Sequence, residues 1–225
     1  MIKKLFFIAA FGGLLMVQAQ DAQEVTPAKT PKFSIIPSVG YAWRTAKTPD
    51  GIPQNQKDYI KGIKSGVNFD ISAYYNVKNN WALGLKFSRF SASTEGNLTV
   101  ANPNNGSSIT AFASTKDHIT FFGPAFMYNN FNEDTKHKLF YDFSVGYISY
   151  TTTTGNVKGK GGNAGFDLNI AYQYAINNQI FVGPKLGYTV GTLSEMKFNG
   201  QSMDLSENKE GLGRVNLNLA ATFRF

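Results

Sequence analysis

Very few side chains in these 225 residues have the types and spacing that chemistry requires. There are two histidines, His118 and His137. His118 and Thr120 stand two positions apart, so on a strand they share a face, as a base and a hydroxyl nucleophile must. Such a pair needs a carboxylate to orient the imidazole, and none can be assigned. Asp117 is adjacent to His118, which on a strand turns it to the opposite face. His137 closes the turn-like stretch Asn132-Glu-Asp-Thr-Lys-His137, where a solvated residue is expected. Without cysteine there is no thiolate ligand, thiol nucleophile or disulfide. No two-histidine spacing suggests a metal, and no glycine-rich strand-to-helix loop suggests a nucleotide. The expectation is a non-enzyme with no catalytic residue, metal or cofactor. What remains is a set of charges in otherwise uncharged segments: Asp70, Lys86, Asp167 and Lys185.

The elements that must position those charges are strands. Phe33, Ile35, Pro37, Val39, Tyr41 and Trp43 alternate with Ser34, Ser38, Gly40 and Ala42, and Ile36 is the large apolar exception. The same period of two runs through residues 67–75, 81–88, 139–147, 166–172, 182–188 and 214–225. Residues 118–128 are ambiguous alone. However, Phe121-Phe-Gly-Pro-Ala-Phe-Met-Tyr128 lines up with Phe181-Val-Gly-Pro-Lys-Leu-Gly-Tyr188. That echo assigns Phe122, Pro124, Phe126 and Tyr128 to the apolar face. A second echo, Phe69-Asp-Ile-Ser-Ala-Tyr-Tyr75 with Phe166-Asp-Leu-Asn-Ile-Ala-Tyr172, makes this a hairpin repeat within one sheet. No stretch has comparable helical spacing. Connections alternate between long (45–65, 92–117, 151–164, 192–211) and shorter (76–80, 129–138, 175–178).

Ahead of the strands, Lys3 and Lys4 precede a 13-residue apolar run at 5–17, and Val17 and Ala19 form a small-residue cleavage site. Residues 1–19 are therefore expected to be an export signal cut after Ala19. Residues 20–31, with Pro27 and Pro31, read as a periplasmic linker. Losing Lys3 and Lys4 lowers the net charge from +7 to +5, and no basic cluster interleaves with aromatics, so nucleic acid is not an expected partner.

Charged residues are 16% of the chain and the mean hydropathy is −0.23, which suggests a soluble domain until the two strand faces are separated. The polar face is built of Ser, Gly, Ala, Asn and Thr rather than the Lys and Glu of a solvated surface. Small side chains suit the lumen of an eight-stranded barrel. Tyr41 and Trp43 gather near one end of the apolar face, and Tyr75, Trp81, Tyr128, Tyr172, Phe223 and Phe225 near the other, like aromatic girdles at two bilayer interfaces. The fold class expected over residues 32–225 is all-β, an eight-stranded antiparallel up-and-down transmembrane β-barrel. Setting Tyr75 opposite Trp81 places Asp70 opposite Lys86. Asp167 and Lys185 then fall opposite or one diagonal step apart. Two roles stand for these pairs, a charged ion gate or structural neutralisation, and the narrow lumen favours neutralisation.

The strands bearing Phe122-Gly-Pro124 and Val182-Gly-Pro184, the signal ending Val17-Gln-Ala-Gln20, and the closing Leu217-Asn-Leu-Ala-Ala-Thr-Phe-Arg-Phe225 resemble the small outer-membrane barrels of Gram-negative bacteria, of the OmpA transmembrane-domain and OmpX type. Within that group the chain looks closest to the porin-family outer-membrane β-barrel proteins of Bacteroidota. The resemblance covers about residues 32–225. It implies a multi-pass location in the cell outer membrane, contact with outer-membrane lipid, and recognition by the barrel-assembly machinery through the C-terminal strand, with Phe225 as the signal. No peptidoglycan-binding domain is expected after the barrel. The function expected is a non-enzymatic barrel that displays surface loops, in envelope integrity or surface interaction. A narrow low-conductance porin is the alternative, and an outer-leaflet lipid-modifying enzyme a distant one. Leu98-Thr-Val100 and Ile109-Thr-Ala111 flank a turn-rich segment, so the third and fourth strands are expected to continue as a protruding hairpin. That hairpin either offers an edge to an extracellular protein by strand addition or is a stiff, inert loop.

Overall fold

A computed structural model describes residues 31–48, 51–101, 108–207 and 209–225, the side chains at 100, 101 and 109 excepted. The expected signal with Ala19, nearly all of the linker, and the tip of the long hairpin at 102–107 lie outside the described residues. Eight long strands form the barrel: β1 (Phe33–Arg44), β2 (Ser65–Asn76), β3 (Trp81–Ala101), β4 (Ser108–Asn129), β5 (His137–Thr154), β6 (Val157–Ala175), β7 (Ile180–Leu193) and, last in the chain, β11 (Arg214–Arg224). Each pairs antiparallel with its chain neighbours, and β11 pairs with both β7 and β1, which closes the sheet. At the seam the Phe225 N–H donates to the Phe33 carbonyl and the Phe33 N–H to the Phe225 carbonyl. The minor strands are β8 (Glu195–Phe198), β9 (Gln201–Asp204) and β10 (Glu210–Gly211) in the last long connection.

The two faces separate as the alternation requires. Phe33, Val39, Trp43, Phe69, Leu85, Phe143, Phe166, Leu186 and Leu217 all point outward and exposed, whereas the intervening positions point inward. The ambiguous strand follows the internal repeat: Phe122, Phe126 and Tyr128 face out and Phe121 faces in. Ile36, the exception in the first strand, faces in. An outer surface of contiguous large apolar side chains around a sheet that closes on itself is the form a bilayer demands.

Following the register shows how steeply the strands lean. In one direction Tyr41 pairs through Val67, Ser91, His118 and Thr151 to Lys160. In the other it pairs through Leu217 and Leu186 to Ile170. Both paths end on β6, ten residues apart. For eight strands that stagger corresponds to a tilt of about 40°. It also lifts the upper parts of β3 to β6 well above the rim at Trp43. The long connections at this end are largely strand: β3 and β4 stay paired up to Ala101 and Ser108, as expected for a protruding hairpin. β5 and β6 stay paired to Thr154 and Val157.

One element was not expected. Residues Gln54–Ile63 form a helix, α1, starting after Pro53. A proline just ahead of the first turn suits a helix start. Only Tyr59 is buried, and its hydroxyl donates to Thr115 Oγ1 at 2.6 Å. The apolar stripe is short, Tyr59 with the half-buried Ile60 and Ile63, so the helix depends on its dock as well as on its own pattern. It lies along the upper edge of β3. Asn55 Nδ2 donates to the Asn97 carbonyl at 3.2 Å, and Gln56 Nε2 to the Thr99 carbonyl. The edge that could have accepted an added strand is thereby covered on the β3 side.

Both Gly-Pro motifs do the same structural job. Pro124 and Pro184 lack an N–H, and the β4–β5 and β6–β7 ladders each skip there without changing register. The preceding glycines face inward against a neighbouring strand's backbone: a Cβ on Gly123 would stand 2.3 Å from the Val145 carbonyl oxygen of β5, and one on Gly183 2.1 Å from that of Tyr172 on β6. Gly123→Ala and Gly183→Ala are each expected to lower stability in detergent by about 1–3 kcal/mol, the usual cost of overpacking. Gly96→Ala, with nothing nearer than 3.6 Å, should change little. Urea titration of tryptophan fluorescence reads the difference.

Candidate functional site

The lumen holds nearly all the buried charge of the barrel, and its polar layer lies midway between the ends. Even-numbered positions of β2 and β3, and odd-numbered positions of β6 and β7, face it, so Asp70, Lys86, Asp167 and Lys185 all point inward, each 1% exposed. The pairs are not those expected. Asn76 stands opposite Ala82 and Tyr75 opposite Leu83, a turn two residues longer than a Tyr75–Trp81 pairing. Asp70 therefore faces Ser88, and Lys86 faces Ser72. Lys185 faces Ala171, and Asp167 faces Thr189. The ion pairs run across the bore instead. Lys185 Nζ meets Asp70 Oδ2 at 2.6 Å, and Lys86 Nζ meets Asp142 Oδ1 at 2.8 Å and Asp167 Oδ1 at 2.6 Å. In a bore this narrow, side chains from non-adjacent strands are neighbours.

Sequence reasoning singled out four charges and missed two. Asp142 is on the inward parity of β5, and Arg214 on that of β11. Arg214 Nη2 donates to Ser88 Oγ at 2.8 Å. The layer thus sets Lys86, Lys185 and Arg214 against Asp70, Asp142 and Asp167 and is formally neutral. Asparagines satisfy further carboxylate lone pairs. Asn68 Nδ2 donates to Asp70 Oδ1 at 2.9 Å, Asn218 Nδ2 to Asp70 Oδ2 at 2.7 Å, and Asn169 Nδ2 to Asp142 Oδ1 at 2.8 Å. Ser38 and Thr189 hydroxyls add bonds to Asp70 and Asp167. Carboxylates that accept this many bonds are held in place with few degrees of freedom.

Apolar layers close the bore on both sides of this network. Toward the short turns, Ile36, Tyr74, Met127, Phe131, Phe140 and Phe181 pack together. Phe131 belongs to the β4–β5 connection, which folds back into the barrel mouth. Arg224 Nη1 donates to the Phe131 carbonyl at 2.8 Å and Lys138 Nζ to the Glu133 carbonyl at 2.6 Å, and the Arg224 guanidinium lies over the Phe131 ring at 5.7 Å. Toward the long loops, Phe90, Ile119, Phe121, Ile148, Leu193 and Leu212 form the second plug. Above it Arg44 pairs with Asp117 at 3.3 Å and with Glu210, and the Tyr150 hydroxyl donates to Asp117 at 2.7 Å.

The histidines lie outside the lumen. His118 Nδ1 is 2.9 Å from Ser91 Oγ, its cross-strand partner on the outer face, while Asp117 is turned inward to Arg44. His137 Nδ1 is 2.6 Å from the Tyr172 hydroxyl at the turn end. Phe225 sits at the seam, 67% exposed on the outer face. Among the described residues no cluster of histidine and carboxylate side chains could hold a metal.

Lys86→Met would leave Asp142 and Asp167 buried without their counter-ion. It is expected to destabilise the barrel by about 3–5 kcal/mol, and adding Asp142→Asn and Asp167→Asn should recover much of that loss. Urea unfolding in detergent micelles checks both.

No protein-family model matches this sequence, and no curated protein is similar to it. Solved structures are similar in fold. Neisserial surface protein A aligns over 86% of this chain and 97% of its own at 12% identity, with a TM-score of 0.55. A major outer membrane protein from Thermus thermophilus aligns over 88% and 100% at 13% identity, TM-score 0.53. The outer membrane protein OprG from Pseudomonas aeruginosa aligns over 87% and 98% at 12% identity, TM-score 0.50. With its closed ladder and its outward apolar belt, this chain has the fold of the small eight-stranded outer-membrane β-barrels.

Proposed function

We propose that the chain is a non-enzymatic outer-membrane anchor that holds a strand-built structure at the cell surface, in envelope integrity or surface interaction. The observation that carries this reading is the filled lumen. Its central charges are compensated and inaccessible to water, and an aromatic and aliphatic plug lies on either side. A porin of low conductance would need a continuous polar path, and these layers oppose one. His118 and Ser91 stand 2.9 Å apart as a base and a hydroxyl could, but the lipid-modifying alternative is opposed because, among the described residues, no carboxylate hydrogen-bonds the His118 ring to orient it.

Two partners belong to the proposal. Phe225 is the terminal signal for the barrel-assembly machinery. An extracellular protein would meet the tall β3–β4 hairpin on its β4 side, where residues 108–113 pair with β3 alone and Phe112 is 70% exposed. The β3 side is excluded by α1. In planar bilayers the purified barrel is expected to give no sustained single-channel steps, and Asp70→Asn should not create them. A steady current in the unsubstituted protein that shifts in Asp70→Asn would establish the pore instead.

A further inference from the structure

The outer face changes character abruptly on the tall side of the barrel. One register row, Phe122 and Tyr147, is apolar and aromatic. The next row up is Arg89, Thr120 and Ser149. Above it run Ser91, His118, Thr151, Lys160 and Lys197, then Lys116, Thr153 and Lys158. All five basic side chains, Arg89, Lys116, Lys158, Lys160 and Lys197, are exposed. Among the described residues none of them is in an ion pair.

Lys160 and Lys197 stand directly opposite each other on paired strands. Like charges in that position repel and destabilise the pairing. Lysines often guard a sheet edge against unwanted partners, but here β8 already occupies the edge of β6, so that purpose is absent. The two lysines flank a recess of about 420 Å³ lined also by Tyr147, Ser149, Thr151 and Glu195. The Tyr147 side chain reaches across Gly162, where a Cβ would lie 1.8 Å from its hydroxyl oxygen, so only glycine leaves room for this floor. Glu195, the one carboxylate of the lining, accepts the Ser202 hydroxyl at 2.8 Å.

We infer that this recess binds a phosphate group on the headgroup of a lipid in the outer leaflet. Two lysines and three hydroxyl side chains line it, a donor set suited to a phosphate and poorly suited to a neutral sugar. The lipid, rather than free phosphate, is the source because the recess opens onto the membrane-facing side. The apolar row of Phe122 and Tyr147, then Val145 and Phe166, continues directly beneath it and offers a path for acyl chains. Bound phosphate would relieve the Lys160–Lys197 repulsion and fasten the β8–β9 hairpin to β6. The inference rests on the long-loop end facing the outer leaflet.

The test uses the full-length barrel and phosphatidylcholine vesicles, either pure or carrying diphosphoryl lipid A or its phosphate-free form. Flotation with pure vesicles reads insertion, and native mass spectrometry after detergent extraction reads retained lipid. Diphosphoryl lipid A should be retained at least about tenfold over the phosphate-free form, the worth of one or two charge-assisted hydrogen bonds. Lys160→Gln with Lys197→Gln should abolish that preference while heat-modifiable gel migration stays normal. Lys57→Gln with Lys61→Gln on α1, an equal loss of charge elsewhere, should preserve it. Millimolar inorganic phosphate should not displace the lipid. Equal retention of both lipids, equal loss in the α1 control, or displacement by inorganic phosphate overturns the proposal. A chain that floats without preference leaves the anchor reading standing, and one that does not float with pure vesicles overturns both.

Discussion

In hydrocarbon every main-chain N–H must find a carbonyl, and a sheet can meet that demand only by closing on itself. The contact between Phe33 and Phe225 completes the circle. Most of the molecule follows from it. Closure with eight strands leaves a bore only wide enough for side chains. A bore that narrow removes inward charges from water, and charges without water must find each other. The neutral set of three lysine or arginine side chains and three aspartates is therefore a consequence of the strand count as much as of any function.

The alternation that reveals a barrel is a local property, and it was legible in the sequence because lipid and lumen demand opposite chemistry at adjacent positions. Even the doubtful strand at 118–128 could be assigned, since Phe-Gly-Pro repeats as Val-Gly-Pro. Ion-pair partners were not legible. They depend on the length of one turn, and two extra residues between Tyr75 and its true partner Leu83 moved Asp70 from Lys86 to Ser88. They depend still more on which strands lie across the bore. That follows from the stagger of the whole circle, which no single hairpin encodes. Asp142 and Arg214 lay on the inward parity all along, but parity alone does not rank one polar residue above another.

Helix α1 was hidden for a different reason. Its ten residues carry one buried side chain, Tyr59, and the amides of Asn55 and Gln56 meet carbonyls forty-odd positions away. Its apolar stripe, Tyr59, Ile60 and Ile63, spans little more than one turn, too short a periodic trace to stand out among polar neighbours. Its role is equally non-local. The stagger raises β3 past the end of β2, which strips that edge of its partner, and α1 supplies donors to the carbonyls left there. The height of the hairpin and the presence of the helix are two results of the same tilt.

The stopper at the turn end is also tied to closure of the sheet. Phe131 and its carbonyl are gripped by Arg224, the penultimate residue of the chain, and Phe181 of β7 packs against the same ring. Both contacts come from β7 and β11, which pair with each other beside the seam. Without β11 in the circle, the β4–β5 connection would lack its Arg224 anchor. Sealing and closing thus share one part: the strand that completes the circle also holds the plug.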